Sequence, residues 1–194
     1  MGFAIMVFGL ALFIGVHAFT TAREQRAAVI ARAGEATYKI VYSLLSVLAI
    51  GLIAYGFARY RASGWIDVWS PPAWTRHVTV ALMWPATVCI VAAYARGNIA
   101  RVLKHPMLVG VKLWAVAHLI ANGDLGSIVL FGSILGWAAF DRITLKRRTD
   151  AGGPPIPMGG WRNDVAAVVV GTIAYLALGF AFHPLVIGVP AFTP

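Results

Sequence analysis

Residues 40–58 read IVYSLLSVLAIGLIAYGFA, with no Asp, Glu, Lys or Arg among them. Wound as an α-helix at about 1.5 Å per residue, such a run is about 28 Å long, close to the ~30 Å of hydrocarbon in a bilayer. Five further stretches of similar character lie on either side of it, at 3–19, 77–95, 107–121, 125–140 and 165–189. The whole chain follows the same pattern: 60% of its 194 residues are hydrophobic and 12% are charged, with a mean hydropathy of +0.78. A soluble domain averages roughly half apolar and a quarter charged, and one of this size leaves about a third of its surface wet. A water-soluble fold is therefore excluded. The expectation is an all-α polytopic membrane protein, a single domain over 1–194 built as a bundle of about six transmembrane helices.

The shortest spans, 107–121 and 125–140, are joined by Asn122-Gly123-Asp124, which has turn chemistry. They read as a helical hairpin with Asp124 as N-cap of the second helix. The first span lacks a basic n-region after Met1-Gly2, so it is expected to be retained rather than cleaved. Trp84-Pro85 predicts a kink in the third span.

Net charge is +9, a value that in a soluble protein would point to nucleic acid, but here the basic residues cluster in short loops between apolar runs. That layout suits anionic head groups and argues for no nucleic-acid partner. The loops after spans one, three and five carry Arg23, Arg26, Arg32, Lys39, Arg96, Arg101, Lys104, Arg142, Lys146, Arg147, Arg148 and Arg162, twelve in all. Those after spans two and four carry three, Arg59, Arg61 and Arg76. The positive-inside bias then puts both termini on the periplasmic side of a bacterial inner membrane, with Trp65, Trp69 and Trp74 in an outer aromatic belt. The Gly- and Pro-rich segment Ala151–Gly160 reads as a flexible cytoplasmic linker.

A charge at the centre of a membrane helix costs about 2.5 to 3.5 kcal/mol on insertion scales, so the polar inventory at depth is informative. All seven acids (Glu24, Glu35, Asp67, Asp124, Asp141, Asp150 and Asp164) fall in loops or at span ends. This weighs against ion-coupled transport and carboxylate-bridged metal chemistry. Cys89 is the only cysteine and sits in an apolar run, which excludes internal disulfides and thiolate zinc sites. Histidine remains, as His17, His77, His105, His118 and His183. A neutral imidazole crosses a membrane more cheaply than a carboxylate, and it ligates haem iron.

His77 and His105 lie at span starts, His105 before Pro106 at a first helical position, and read as helix starts or head-group contacts. His118 shares a helix face with Trp114 and Asn122, one turn either side at about 100° per residue. Asn122 is placed to orient the imidazole. The competing reading of His118 is an ordinary hydrogen bond between packed helices. His17 ends a Gly9, Phe13, His17 stripe. Gly171, Tyr175, Gly179 and His183 form a four-residue seam for close helix approach. Lys112 reads as a side chain snorkelling to head groups, or as a cation for a haem propionate.

Several motifs carry a resemblance that covers nearly the whole chain: Gly15-x-His17, Glu35 to Lys39, Trp69 to His77, and above all His105 to Gly123 (HPMLVGVKLWAVAHLIANG). Asp141-Arg142, Lys146 to Arg148 and Trp161 to Asp164 complete it. On these the chain resembles the NnrU family of bacterial membrane proteins, which is similar to the 15-cis-zeta-carotene isomerases. The NnrU side of the resemblance implies a link to denitrification through expression of nitrite and nitric oxide reductases. The isomerase side implies haem b held by two histidines and, if the chain is an enzyme, cis-trans isomerisation of a polyene such as a carotenoid. By position the resemblance gives His118 and His17 as the haem ligands. The isomerase pattern carries a cysteine shortly before the later histidine, whereas this chain has Trp114, Ala115, Val116 and Ala117.

Depth bears on the pair independently. His17 falls about 21 Å along its span from the outside, His118 about 16 Å and His183 about 27 Å along theirs from the inside. Two ligands of one iron need nearly equal depth, so either pairing requires helix tilt or shifted span ends. The order of expectation is His17 with His118 first, His118 with His183 second. A cofactor-free permease or membrane assembly factor is the remaining class, in which the glycine seam serves packing alone.

Overall fold

The computed structural model describes residues 1–147 and 159–192, and within them the chain is an all-α membrane bundle. Five helices are long and apolar enough to cross a membrane, and Pro106–Ala121 is a shorter apolar one. Arg148, Asp150 and the linker up to residue 158 lie outside the described residues. The outward faces confirm the apolar solvent: Val47 is 69% exposed and Leu185 82%. The contacts divide the chain into two compact units, residues 1–70 with 123–144, and residues 71–122 with 145–194.

The first unit is built on α1 (Gly2–Phe19) and α3 (Glu35–Ala62), with the short exposed α2 (Arg23–Ala33) between them in sequence. Glycines let α1 and α3 approach backbone to backbone. A Cβ on Gly9 would stand 2.8 Å from Ile53 N, and one on Gly56 2.8 Å from Met6 Cα. Both distances are below van der Waals contact, so the antiparallel pairing depends on these small residues. The third helix of the unit, α7 (Leu125–Arg147), is anchored at its start by Tyr60. The Tyr60 hydroxyl accepts N–H bonds from Ile66 at 3.0 Å and Gly126 at 3.2 Å. An isolated antiparallel bridge between Asp67 and Asp124 adds Val68 N–H to Gly123 O and Leu125 N–H to Ile66 O, each 2.9 Å. Asp124 caps α7, accepting from Ser127 N at 2.9 Å and Ser127 Oγ at 2.6 Å. These ties put α7 in the first unit, whereas α6, its partner in the expected hairpin, is assigned to the second.

In the second unit α4 (Thr75–Ala95) is the central helix and runs through Pro85 unbroken. On one side it meets α6 (Pro106–Ala121), where Thr79 Oγ1 donates to Ala117 O at 2.9 Å and Gly110 packs against Ala86 and Ile90. On the other it meets α8 (Trp161–Ala177): Tyr175 donates to Val80 O at 3.2 Å, Trp84 Nε1 to Thr172 Oγ1 at 3.0 Å, and Gly171 lies against Val88. The six-residue α5 (Asn98–Leu103) is fastened to α8 by Asp164, which accepts from Ile99 N and Asn98 Nδ2, each at 2.8 Å.

Beyond Ala177 the last helix widens to π spacing over Leu178–Ile187, a segment that contains Pro184. Proline lacks an N–H and its ring clashes with the carbonyl four residues back, and a wider turn relieves both. Gly188 then reverses the chain with φ +77°.

Candidate functional site

His118 sits in the last turn of α6, and its Nδ1 lies 2.8 Å from Trp114 O. A carbonyl oxygen accepts only, so Nδ1 carries the proton and Nε2 keeps its lone pair. The Trp114 ring flanks the imidazole at 5.1 Å between centroids. Asn122 also meets His118, but through the backbone: its Nδ2 donates to His118 O at 2.8 Å. The expected contact of Asn122 on the imidazole is therefore replaced by a second bond to His118 O, which also accepts the Asn122 backbone N–H at 3.0 Å.

Facing His118 across the unit is His183, carried on the π segment. The two rings have centroids 6.2 Å apart and are tilted by 34°. Val189, just past the Gly188 reversal, donates its N–H to His183 O at 3.3 Å. Of the five histidines these two are brought ring to ring. Every member of the Gly171, Tyr175, Gly179, His183 seam has a partner: Val88, Val80 O, the Phe192 ring and His118 respectively.

His17 belongs to the first unit. Its Nδ1 is 2.8 Å from Phe13 O, and its ring stacks on Phe13 at 3.9 Å, edge-on to Trp137 at 5.3 Å and 5.3 Å from Tyr42. The stripe of Gly9, Phe13 and His17 thus faces α3 and α7, as a small-to-large series on one helix face dictates. In this cluster Trp137 Nε1 and the Tyr38 hydroxyl are shielded and have no hydrogen-bond partner among the described residues.

His105 is the N-cap of α6 with Pro106 at the first helical position, and His77 is exposed in the first turn of α4. Lys112 is half-buried on α6, and Cys89 is buried in α4. Among the described residues no three His, Cys, Asp or Glu side chains gather as a metal site. The sequence reading missed the strap around His183. Its one signal was Pro184 followed by Gly188, a helix-breaking pair next to a histidine.

The pattern that defines NnrU proteins matches residues 5–191. The chain belongs to the NnrU family. No curated protein and no solved structure matches it. The NnrU match spans both units and includes His17, His118 and His183.

Proposed function

We propose that this NnrU protein binds haem b in its second unit, where His118 and His183 would hold the iron, and serves a redox or sensing role linked to denitrification. The observation that carries this reading is the 6.2 Å between the two ring centroids. A histidine–metal bond is about 2 Å and a ring nitrogen lies about 1 Å from its centroid, so two imidazoles in line on one metal stand about 6 Å apart. Ligating histidines also hold their other ring nitrogen in a hydrogen bond that fixes the tautomer, and Trp114 O does this for His118. The residues therefore fit the group in donor type, spacing and outer support. Phe182 flanks the His183 ring edge-on at 6.5 Å and adds an apolar neighbour to the pair.

When bound, the haem would supply one-electron chemistry, tuned by the residues that hold it and their hydrogen bonds. The chain's share is positional. Trp114 O keeps His118 Nε2 unprotonated, and Asn122 holds the end of α6 that carries it. On the same reading the protein lies in the bacterial inner membrane with both termini periplasmic, which rests on the twelve-to-three distribution of Lys and Arg.

The test is an absorption spectrum of detergent-purified protein expressed with ample haem, oxidised and reduced. The expected result is a Soret band with sharp six-coordinate low-spin features that are lost in His118→Ala. A wild-type protein without a Soret band, or a His118→Ala spectrum identical to it, overturns the proposal.

A further inference from the structure

We infer that residues 188–192 are a strap that sets the orientation of the His183 ring, with Arg76 and Phe192 as positioning residues. The inference rests on the haem reading above and names which parts of the chain hold the second ligand.

The two histidines are mounted differently. His118 is fixed by its own regular helix, through Trp114 O and the Asn122 cap. His183 rides on a π-wound segment, immediately before a proline that contributes no N–H to the ladder. What holds it comes from further along the chain. Gly188, at φ +77°, turns the backbone around, and Val189 N–H returns to His183 O at 3.3 Å. Pro190 O is taken by Arg76 Nη2 from the first turn of α4. Phe192 closes the strap: its ring fills the notch at Gly179, where a Cβ would collide with it, and packs on Tyr175 at 5.1 Å and Phe180 at 4.6 Å.

The strap can be loosened without parting the helices beneath it. Contact between α4 and α8 is kept separately by Tyr175 on Val80 O, Trp84 on Thr172 and Gly171 on Val88. Removing the Arg76 bond therefore acts on Pro190 and, through Val189, on His183. It leaves His118 untouched.

The experiment mixes carbon monoxide with the reduced, haem-loaded protein and follows its capture, which requires His183 to leave the iron. Capture scales with the fraction of molecules in which the ligand is off. Arg76→Gln is expected to speed capture by roughly fivefold, the worth of one ordinary hydrogen bond, with Arg76→Lys near wild type because it keeps a donor. The oxidised Arg76→Gln protein should also show altered low-spin EPR g-values, which report the imidazole planes. Phe192→Ala should act in the same direction and decides the matter if Arg76→Gln does not accumulate. Trp84→Phe, which breaks a helix contact away from the strap, should capture at the wild-type rate. Capture within twofold of wild type in both Arg76→Gln and Phe192→Ala overturns the inference, as does equal acceleration in Trp84→Phe. A wild type with no Soret band instead overturns the haem reading, and the strap's proposed role with it.

Discussion

At the scale of single residues, α3 contains two glycines with opposite surroundings. Among the described residues nothing lies within 4 Å of a Cβ built on Gly51, whereas one on Gly56 meets the backbone of Met6 and Gly2. Alanine is the better helix former by up to about 1 kcal/mol, so Gly51→Ala should be neutral or raise the thermal midpoint in detergent. Gly56→Ala should lower it, since forcing a methyl into a closed contact costs about 1–3 kcal/mol. Equal midpoints for the two variants would contradict the backbone contact of α1 and α3. Residue-scale roles were legible where they depend on helical spacing: Trp114, His118 and Asn122 share a face, and Gly9, Phe13 and His17 another. The atom Asn122 would reach was not legible. A side chain near a helix end can meet either a ring or a backbone carbonyl, and the spacing is the same for both.

At the scale of elements, the two capping aspartates differ in how far they reach. Asp124 serves its own helix, bonding Ser127 three residues on, and the turn chemistry of Asn122-Gly123-Asp124 announces it. Asp124→Ala should destabilise the protein by about 0.5–2 kcal/mol, and Asp124→Asn, which keeps an acceptor oxygen, by less. Urea or thermal unfolding of the purified variants measures the difference, and equal losses would show that the cap bond is not what Asp124 contributes. Asp164 instead holds α5, 66 residues away from Asn98 in sequence. No local pattern encodes such a partner, which is why α5 and its tie to α8 were invisible beforehand. The π segment escaped for a related reason. Its residues are as apolar and helix-compatible as those of α8, and the switch at Leu178 comes from accommodating Pro184 together with the returning strap.

At the scale of the whole molecule, the six apolar runs and their helical nature follow from hydropathy and length alone. Their grouping does not. The recruitment of α7 by Tyr60 and the Asp67–Asp124 bridge is long-range, so adjacency in sequence does not announce it. Orientation rests on loop charge, and predicts that a reporter active only in the periplasm works when fused to either terminus. A reporter bright only in the cytoplasm should stay dark there, and the reverse outcome would invert the topology. The central claim, that the second unit carries haem between His118 and His183, is tested most directly by EPR of the oxidised protein and its single-histidine variants. The account predicts a low-spin signal that gives way to high-spin in His183→Ala and His118→Ala and survives in His17→Ala. Loss of the low-spin signal in His17→Ala, with His183→Ala unchanged, would contradict it.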